Sequence, residues 1–247
     1  MHMHTAEEIL ERLQPLASSL NREGMQRFGI AVDHALGVRA PDLRRIAKGV
    51  GKDHALALAL WDTGIREARL LAAWVDDPQQ VSIEQMDRWA GDFDSWDICD
   101  TVCSGLFDRT PHGYAKAREW VEDEREFVKR AGFVLMAVLA VQDRKAPNTA
   151  LLPFLPLLQR GATDERNLVK KAVNWALRQL GKRNLALNAA AIAIAEEIRR
   201  MDSRSARWIG SDALRELRSE AVRSRLEIRE ERRRKRAMRA EKNRMSA

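Results

Sequence analysis

The sequence predicts an all-α chain of stacked helix pairs. Three observations predict it: a helix-forming composition, helix punctuation that recurs from end to end, and a loose period of about 30–45 residues. Ala, Leu, Arg, Glu and Lys carry most of the 247 residues, and only 7 prolines and 13 glycines interrupt them. Hydrophobic residues at 45% and charged residues at 32% suit a folded globular chain rather than a disordered one. No stretch reads convincingly as a strand.

The elements follow in order. Pro41 suits the first position of a helix over 41–48, which Gly49 and Gly51 close. Ser82-Ile83-Glu84-Gln85 reads as a capping box that opens a helix through Met86 and Trp89. The longest apolar run, 131–141, lies between Arg130 and Gln142. Such a run rises only about 16 Å as a helix, too short for a bilayer core, so a helix buried on all sides is expected. A strong helix over 168–180 precedes Gly181, and Asn188 is expected to cap the alanine-rich helix through Arg199. Roughly a dozen helices joined by short polar turns account for the chain.

Met1-His2-Met3-His4-Thr5 lacks the charged-then-apolar pattern of a secretory leader, so a cytoplasmic location and no membrane partner are expected. Cys99 and Cys103 fall one helical turn apart, a poor geometry for a disulfide, and no His or further Cys lies nearby. Both read as small buried side chains, and no metal is expected. The net charge is +7, and most of it sits in 229–244, where nine basic residues face three acidic ones. This divides the chain into a repeat domain over 1–226 and a basic, weakly ordered tail over 227–247, which is expected to add salt-sensitive affinity for a polyanion. The remaining body is nearly neutral, so any affinity there must come from charge asymmetry between its faces.

Arg69-Leu70-Leu71-Ala72, Arg130-Ala131-Gly132-Phe133, Lys171-Ala172-Val173-Asn174 and Arg207-Trp208-Ile209-Gly210 each set a cation before a small or apolar stretch. Asp100 falls almost midway between Arg69 and Arg130, an acid where the other repeats carry a base. Spacings of this size in an all-helical chain predict stacked pairs of the HEAT or armadillo kind, with a curved inner surface for a ligand.

Two helices carry candidate chemistry. In 168–182, Lys171, Trp175, Arg178 and Lys182 follow i, i+4, i+7, i+11 on one face, with Lys170 and Arg183 beside them. This row reads either as a solvated charged face with a tryptophan on its rim or as a row of phosphate contacts. In 92–100, four aspartates occur within nine residues. Asp92, Asp94 and Asp97 are explained as caps and dipole partners of a helix start. Asp100 lies too far into the helix for that, and Trp96 is its i, i+4 neighbour. Structurally, Asp100 can pair with Arg130 of the next repeat.

Trp96-Asp97-Ile98-Cys99-Asp100, Phe127-Val128-Lys129-Arg130-Ala131-Gly132 and the run from Asp164-Glu165-Arg166 through Asn174-Trp175-Ala176-Leu177-Arg178 resemble motifs of the HEAT-like repeat DNA alkylation repair family, of the AlkD type. Gly37-Val38-Arg39-Ala40-Pro41-Asp42-Leu43-Arg44, Ala206-Arg207-Trp208-Ile209 and Ala213-Leu214-Arg215-Glu216-Leu217 are similar too, and the likeness covers roughly 20–225 in order.

The resemblance implies a right-handed HEAT/armadillo-like helical repeat solenoid with a concave, basic DNA-binding face. It implies a monofunctional DNA glycosylase that releases N3- and N7-alkylated purines from duplex DNA, acting as a monomer without metal or nucleotide cofactor. Asp100 matches the catalytic acid, Trp96 and Trp175 the aromatic contacts to the deoxyribose, and Arg130 the basic partner. DNA contacts are expected from Lys170, Lys171, Arg178, Lys182, Arg183, Arg44, Arg45, Arg69 and Arg207. Where some members carry a first-repeat tyrosine, this chain has Phe28, and its one tyrosine is Tyr114. Two alternatives stand beside the enzyme: a non-catalytic binder of damaged or branched DNA on the same scaffold, and a HEAT-type adaptor for proteins.

Overall fold

The computed structural model describes residues 4–245, with side chains described through Arg236 and at Met238. Helix accounts for most of the described residues and no strand occurs among them. The chain forms two compact units, one ending at Leu135 and the other beginning at Met136.

The first unit comprises α1 (Ala6–Leu13), α2 (Ser19–Arg27), α3 (Ala40–Val50), α4 (His54–Asp62), α5 (Arg66–Val75), α6 (Ile83–Gly91), α7 (Trp96–Gly105), α8 (Gly113–Trp120) and the start of α9 (Glu126–Gln142), within which the division falls. Several of its helices begin where local chemistry satisfies the orphan amides or removes one. Thr5 and Glu8 form a complete capping box on α1, Asp53 caps α4, and Pro41 sits in the first turn of α3, which ends at Gly51 with φ +81°. At α6 only half of the expected box forms. Ser82 accepts from the Gln85 amide at 3.2 Å, but the Gln85 side chain turns away to Asp76 Oδ2 at 2.6 Å. Asp76 is fully buried and also meets His54 Nδ1 at 2.6 Å, so the glutamine satisfies a buried acid rather than an exposed amide.

Two layers stack in this unit. In one, α4, α6 and α8 are linked by aromatic rings: Trp61 stacks on Trp89 at 4.0 Å, and Phe107 lies between Trp89 and Trp120. In the other, α3 packs on α5 and α5 on α7. Cys99 and Cys103 complete this layer, their thiols directed at the Phe127 and Ala131 carbonyls of α9 at 3.7 and 3.8 Å. Both are buried and unbridged, as expected.

The second unit holds α10 (Asn148–Leu151), α11 (Phe154–Gly161), α12 (Asn167–Gly181), α13 (Leu185–Arg200), α14 (Arg204–Leu217) and α15 (Glu220–Met245). Helix α11 packs on α13, α12 on α14, and α13 on α14. The last contact is close because of Gly210: a Cβ there would lie 2.6 Å from the Ala195 carbonyl oxygen and the Arg199 nitrogen. The cap expected at Asn188 is found four residues earlier. Asn184 accepts from the Leu187 amide at 2.9 Å, and Asn188, one turn into α13, donates to the Gly181 carbonyl at 2.9 Å. In α9 the predicted burial holds through Ala140, and Val141 is exposed. Val222 and Leu226 of α15 are buried, and no described side chain after Leu226 is.

Polar bonds between neighbouring repeats measure the repeat itself. In the first unit, Trp61–Asp92 and Arg66–Asp97 join residues 31 apart, and Asp100–Arg130 residues 30 apart. In the second, Asn174–Asp212, Arg178–Glu216 and Gln159–Glu197 each span 38.

Candidate active site and nucleic-acid contacts

In the first unit Asp100 and Arg130 form a two-pronged pair. Arg130 Nε donates to Oδ1 at 2.9 Å and Nη2 to Oδ2 at 2.8 Å. The Arg130 side chain is 7% exposed and that of Asp100 23%, so the pair is largely desolvated with the carboxylate on the solvent side. Burial pushes the Asp100 carboxyl above the ordinary carboxylate range, and the bond and charge of Arg130 limit that rise. Arg130 in turn is held above its ordinary value: burial lowers it, and Asp100 outweighs the burial.

Trp96 opens α7, half-buried and one turn before Asp100. Its indole N–H donates to the Phe28 carbonyl at 3.0 Å, which ties the segment after α2 to the start of α7. Phe28 itself is 76% exposed.

None of the neighbouring acids caps the start of α7 through its side chain; Asp97 lies in its first turn, as a dipole partner should, and Asp92 closes α6. Asp97 accepts from Ser95 Oγ at 2.6 Å and from Arg66, and Asp92 accepts from Trp61 Nε1 at 2.9 Å. Asp94 lines a cavity of about 220 Å³ with Asp33, His34 and Arg66. Arg69 lies over the Trp61 ring at 5.0 Å and donates to the Asp92 carbonyl. Arg44 and Arg45 are exposed on α3, Arg44 over Trp74 at 5.5 Å and Arg45 paired with Asp42 at 2.9 Å.

In the second unit Trp175 is half-buried on α12, and Lys171, one turn before it, is exposed. The rest of the basic row has partners. Arg178 and Lys182 each bond Glu216 of α14 at 2.8 Å. Partial burial raises the Glu216 carboxyl, but Lys182 and Arg178 outweigh it and hold the group below its ordinary value. Arg183 donates to the carbonyls of Ala140 and Asp143 at the end of α9. Arg207 pairs with Asp202 at 3.1 Å. Lys170 lies 5.3 Å from the ring centre of Trp208, an exposed tryptophan that the sequence reading did not single out. The 38-residue register that pairs Asn174 with Asp212 also sets Lys170 against Trp208, and that period was the signal for it.

Among the described residues no three His, Cys, Asp or Glu side chains gather as a metal site, and no helix is long and apolar enough to cross a membrane. Stacked helix pairs carrying a buried Arg–Asp pair beside a tryptophan define a helical-repeat protein with a preformed carboxylate site. The family model described as DNA alkylation repair enzyme matches residues 9–217, and the chain belongs to that family. One solved structure is described as a new family of proteins related to the HEAT-like repeat DNA glycosylases with affinity for branched DNA structures. It superposes with a TM-score of 0.73 at 19% identity, over 90% of this chain and 96% of that one, and shows the HEAT-like repeat fold. A designed armadillo repeat protein in complex with the peptide (KR)4 has a TM-score of 0.35 at 13% identity, over 85% of this chain and 97% of that one, too slight a likeness to bear on the fold. No curated protein matches.

Proposed function

We propose that this chain is a DNA glycosylase that hydrolyses the N-glycosidic bond of N3- or N7-alkylated purines in duplex DNA. The observation that carries the reading is the Asp100 carboxylate, desolvated, clamped by Arg130 and one turn from Trp96. Alkylation at N3 or N7 gives the purine a positive charge, so it leaves with the bonding electrons as a neutral base and needs little acid catalysis. The charge passes to C1′ of the sugar. A fixed carboxylate stabilises that oxocarbenium-like state and orients the water that adds to C1′, as carboxylates do in glycoside hydrolysis. The indole face of Trp96 adds cation–π attraction to the same charge. Arg130 keeps Asp100 ionised against its burial and fixes its direction. In the second unit, Trp175 and Lys171 are contacts to the sugar–phosphate backbone.

The test is incubation with a duplex containing one N7-methylguanine, with released base as the readout. The wild-type chain is expected to release the base. Asp100→Asn should slow release by about a hundredfold or more while duplex binding persists. A second reading, a non-catalytic binder of damaged or branched DNA, is favoured by the affinity described for the similar solved structure. It replaces the first if the wild-type chain binds duplex DNA and releases no base.

A further inference from the structure

We infer that Trp208 and Lys170, in the second unit, form a stacking site for an unpaired DNA base, an inference that rests on the DNA-binding part of the reading above. Of the tryptophans, Trp61, Trp89 and Trp120 are buried and Trp74, Trp96 and Trp175 are half-buried, whereas Trp208 is 42% exposed. A large aromatic left in solvent is the informative exception to burial. Its indole N–H has no hydrogen bond among the described residues, and the Lys170 ammonium lies over one face of the ring, 5.3 Å from its centre.

The helix that carries the ring is also held in place. Ser203 caps α14 through the Ala206 amide at 3.1 Å, and Glu165 Oε1 accepts from Ser203 Oγ and the Ser205 amide at 3.0 and 3.1 Å. The Asn174–Asp212 and Arg178–Glu216 bonds lock α14 in register with α12 just beyond. A preordered platform loses little conformational entropy on binding.

The charges around it select the ligand. At the other end of α12, Glu216 neutralises Arg178 and Lys182. Near Trp208, by contrast, Lys170, Lys171 and Arg204 make no ion pair within 4 Å among the described residues; Glu165 is close enough for the charges of Lys170 and Arg204 to help lower its carboxyl, and Lys171 and Arg204 are exposed. One aromatic ring among cations is unlike the contiguous apolar patch of a protein or membrane contact. It matches the pairing of aromatic platform and basic groove that binds single-stranded nucleic acid, where a base stacks and phosphates meet the cations. An intact duplex hides its base faces, so the platform is complementary to a strand whose bases are unstacked.

The test measures binding of the full chain by fluorescence anisotropy to three probes. These are a blunt duplex, the same duplex with a short single-stranded extension, and that duplex with abasic sites throughout the extension. The wild-type chain is expected to bind the extended duplex roughly tenfold more tightly than the blunt one, with most of the gain absent for the abasic extension. Trp208→Ala should erase the gain and leave blunt-duplex affinity unchanged, while Trp208→Phe should keep much of it. The inference is overturned if Trp208→Ala keeps the gain, if the abasic extension gives the same gain, or if blunt-duplex affinity falls equally. Wild-type binding to the blunt duplex with no gain from the extension sinks this inference alone. Absence of binding to all three probes sinks the DNA reading with it, and base release from an N7-methylguanine duplex tests the Asp100 reading independently.

Discussion

The two units use the same bond, a side-chain pair reaching one repeat along the chain, to opposite effect. In the first unit the bonds span 30 or 31 residues, and the acids are the groups held in place: Asp97 by Arg66 and Asp100 by Arg130. In the second an acid, Glu216, takes up two bases, Arg178 across 38 residues and Lys182 across 34. A row of cations in a sequence is therefore not a row of available charges. The first unit builds a directed carboxylate, and the second chooses which end of α12 stays electropositive.

If that division holds, changes in the first unit act on rate and changes in the second on affinity. The larger effect is expected at Arg130. Burial raises the Asp100 carboxyl and Arg130 opposes the rise, so Arg130→Gln moves the group further up. Less of it is ionised at neutral pH, and base release should fall by roughly tenfold or more and recover partly as the pH is raised. The acid limb of the single-turnover pH profile measures the shift, and a melting curve separates it from unfolding. A loss of duplex affinity with an unmoved acid limb would break the comparison.

A smaller effect is expected at Glu216. Glu216→Gln releases Lys182 and leaves Arg178 only its longer pair with Asp212 at 3.7 Å, so duplex binding should tighten severalfold at low salt. The logarithmic salt dependence should steepen by roughly 1–2, while single-turnover release at saturating protein stays as it was. An unchanged salt slope would show that the two cations do not reach phosphate.

The smallest effect concerns stability alone. Burial pushes the Asp108 carboxyl, whose Oδ1 has no hydrogen bond, up to about 6. A carboxyl raised in the folded state stabilises fully below its ordinary value, and that contribution is lost as pH rises through about 6. Asp108→Asn avoids the loss. It should raise stability at pH 7 by on the order of 1 kcal/mol. The gain should vanish near pH 4, and a gain that is the same at both pH values would refute the titration.

Much of this was legible because repeats are local. The all-helical class, the buried run in α9, the extent of α12 and the adjacency of Trp96 and Asp100 all follow from i, i+4 spacing and punctuation. The Asp100–Arg130 pair followed from the repeat length. What escaped lay further off or competed. The partner of Arg178 and Lys182 was not foreseen because Glu216, more than thirty residues on, is outside any helical window. Nor were the carbonyls at the end of α9 that the Arg183 guanidinium meets, because that helix ends 41 residues before it in the sequence. Asn188 lost the cap to Asn184 because both are good capping residues, and Leu185-Ala186-Leu187 extends the helix readily.

The chain has just two cysteines, and both lie on α7, the helix that carries Asp100. Each thiol is buried, and burial pushes that of Cys103 well above its ordinary value, so neither reacts in the closed state. A thiol reagent in excess therefore works as a clock on this one helix. The labelling rate counts the transient openings of α7, and its dependence on denaturant separates local opening from global unfolding. Added DNA that slows the labelling would report, without any change to the sequence, that binding closes down on the helix bearing the carboxylate.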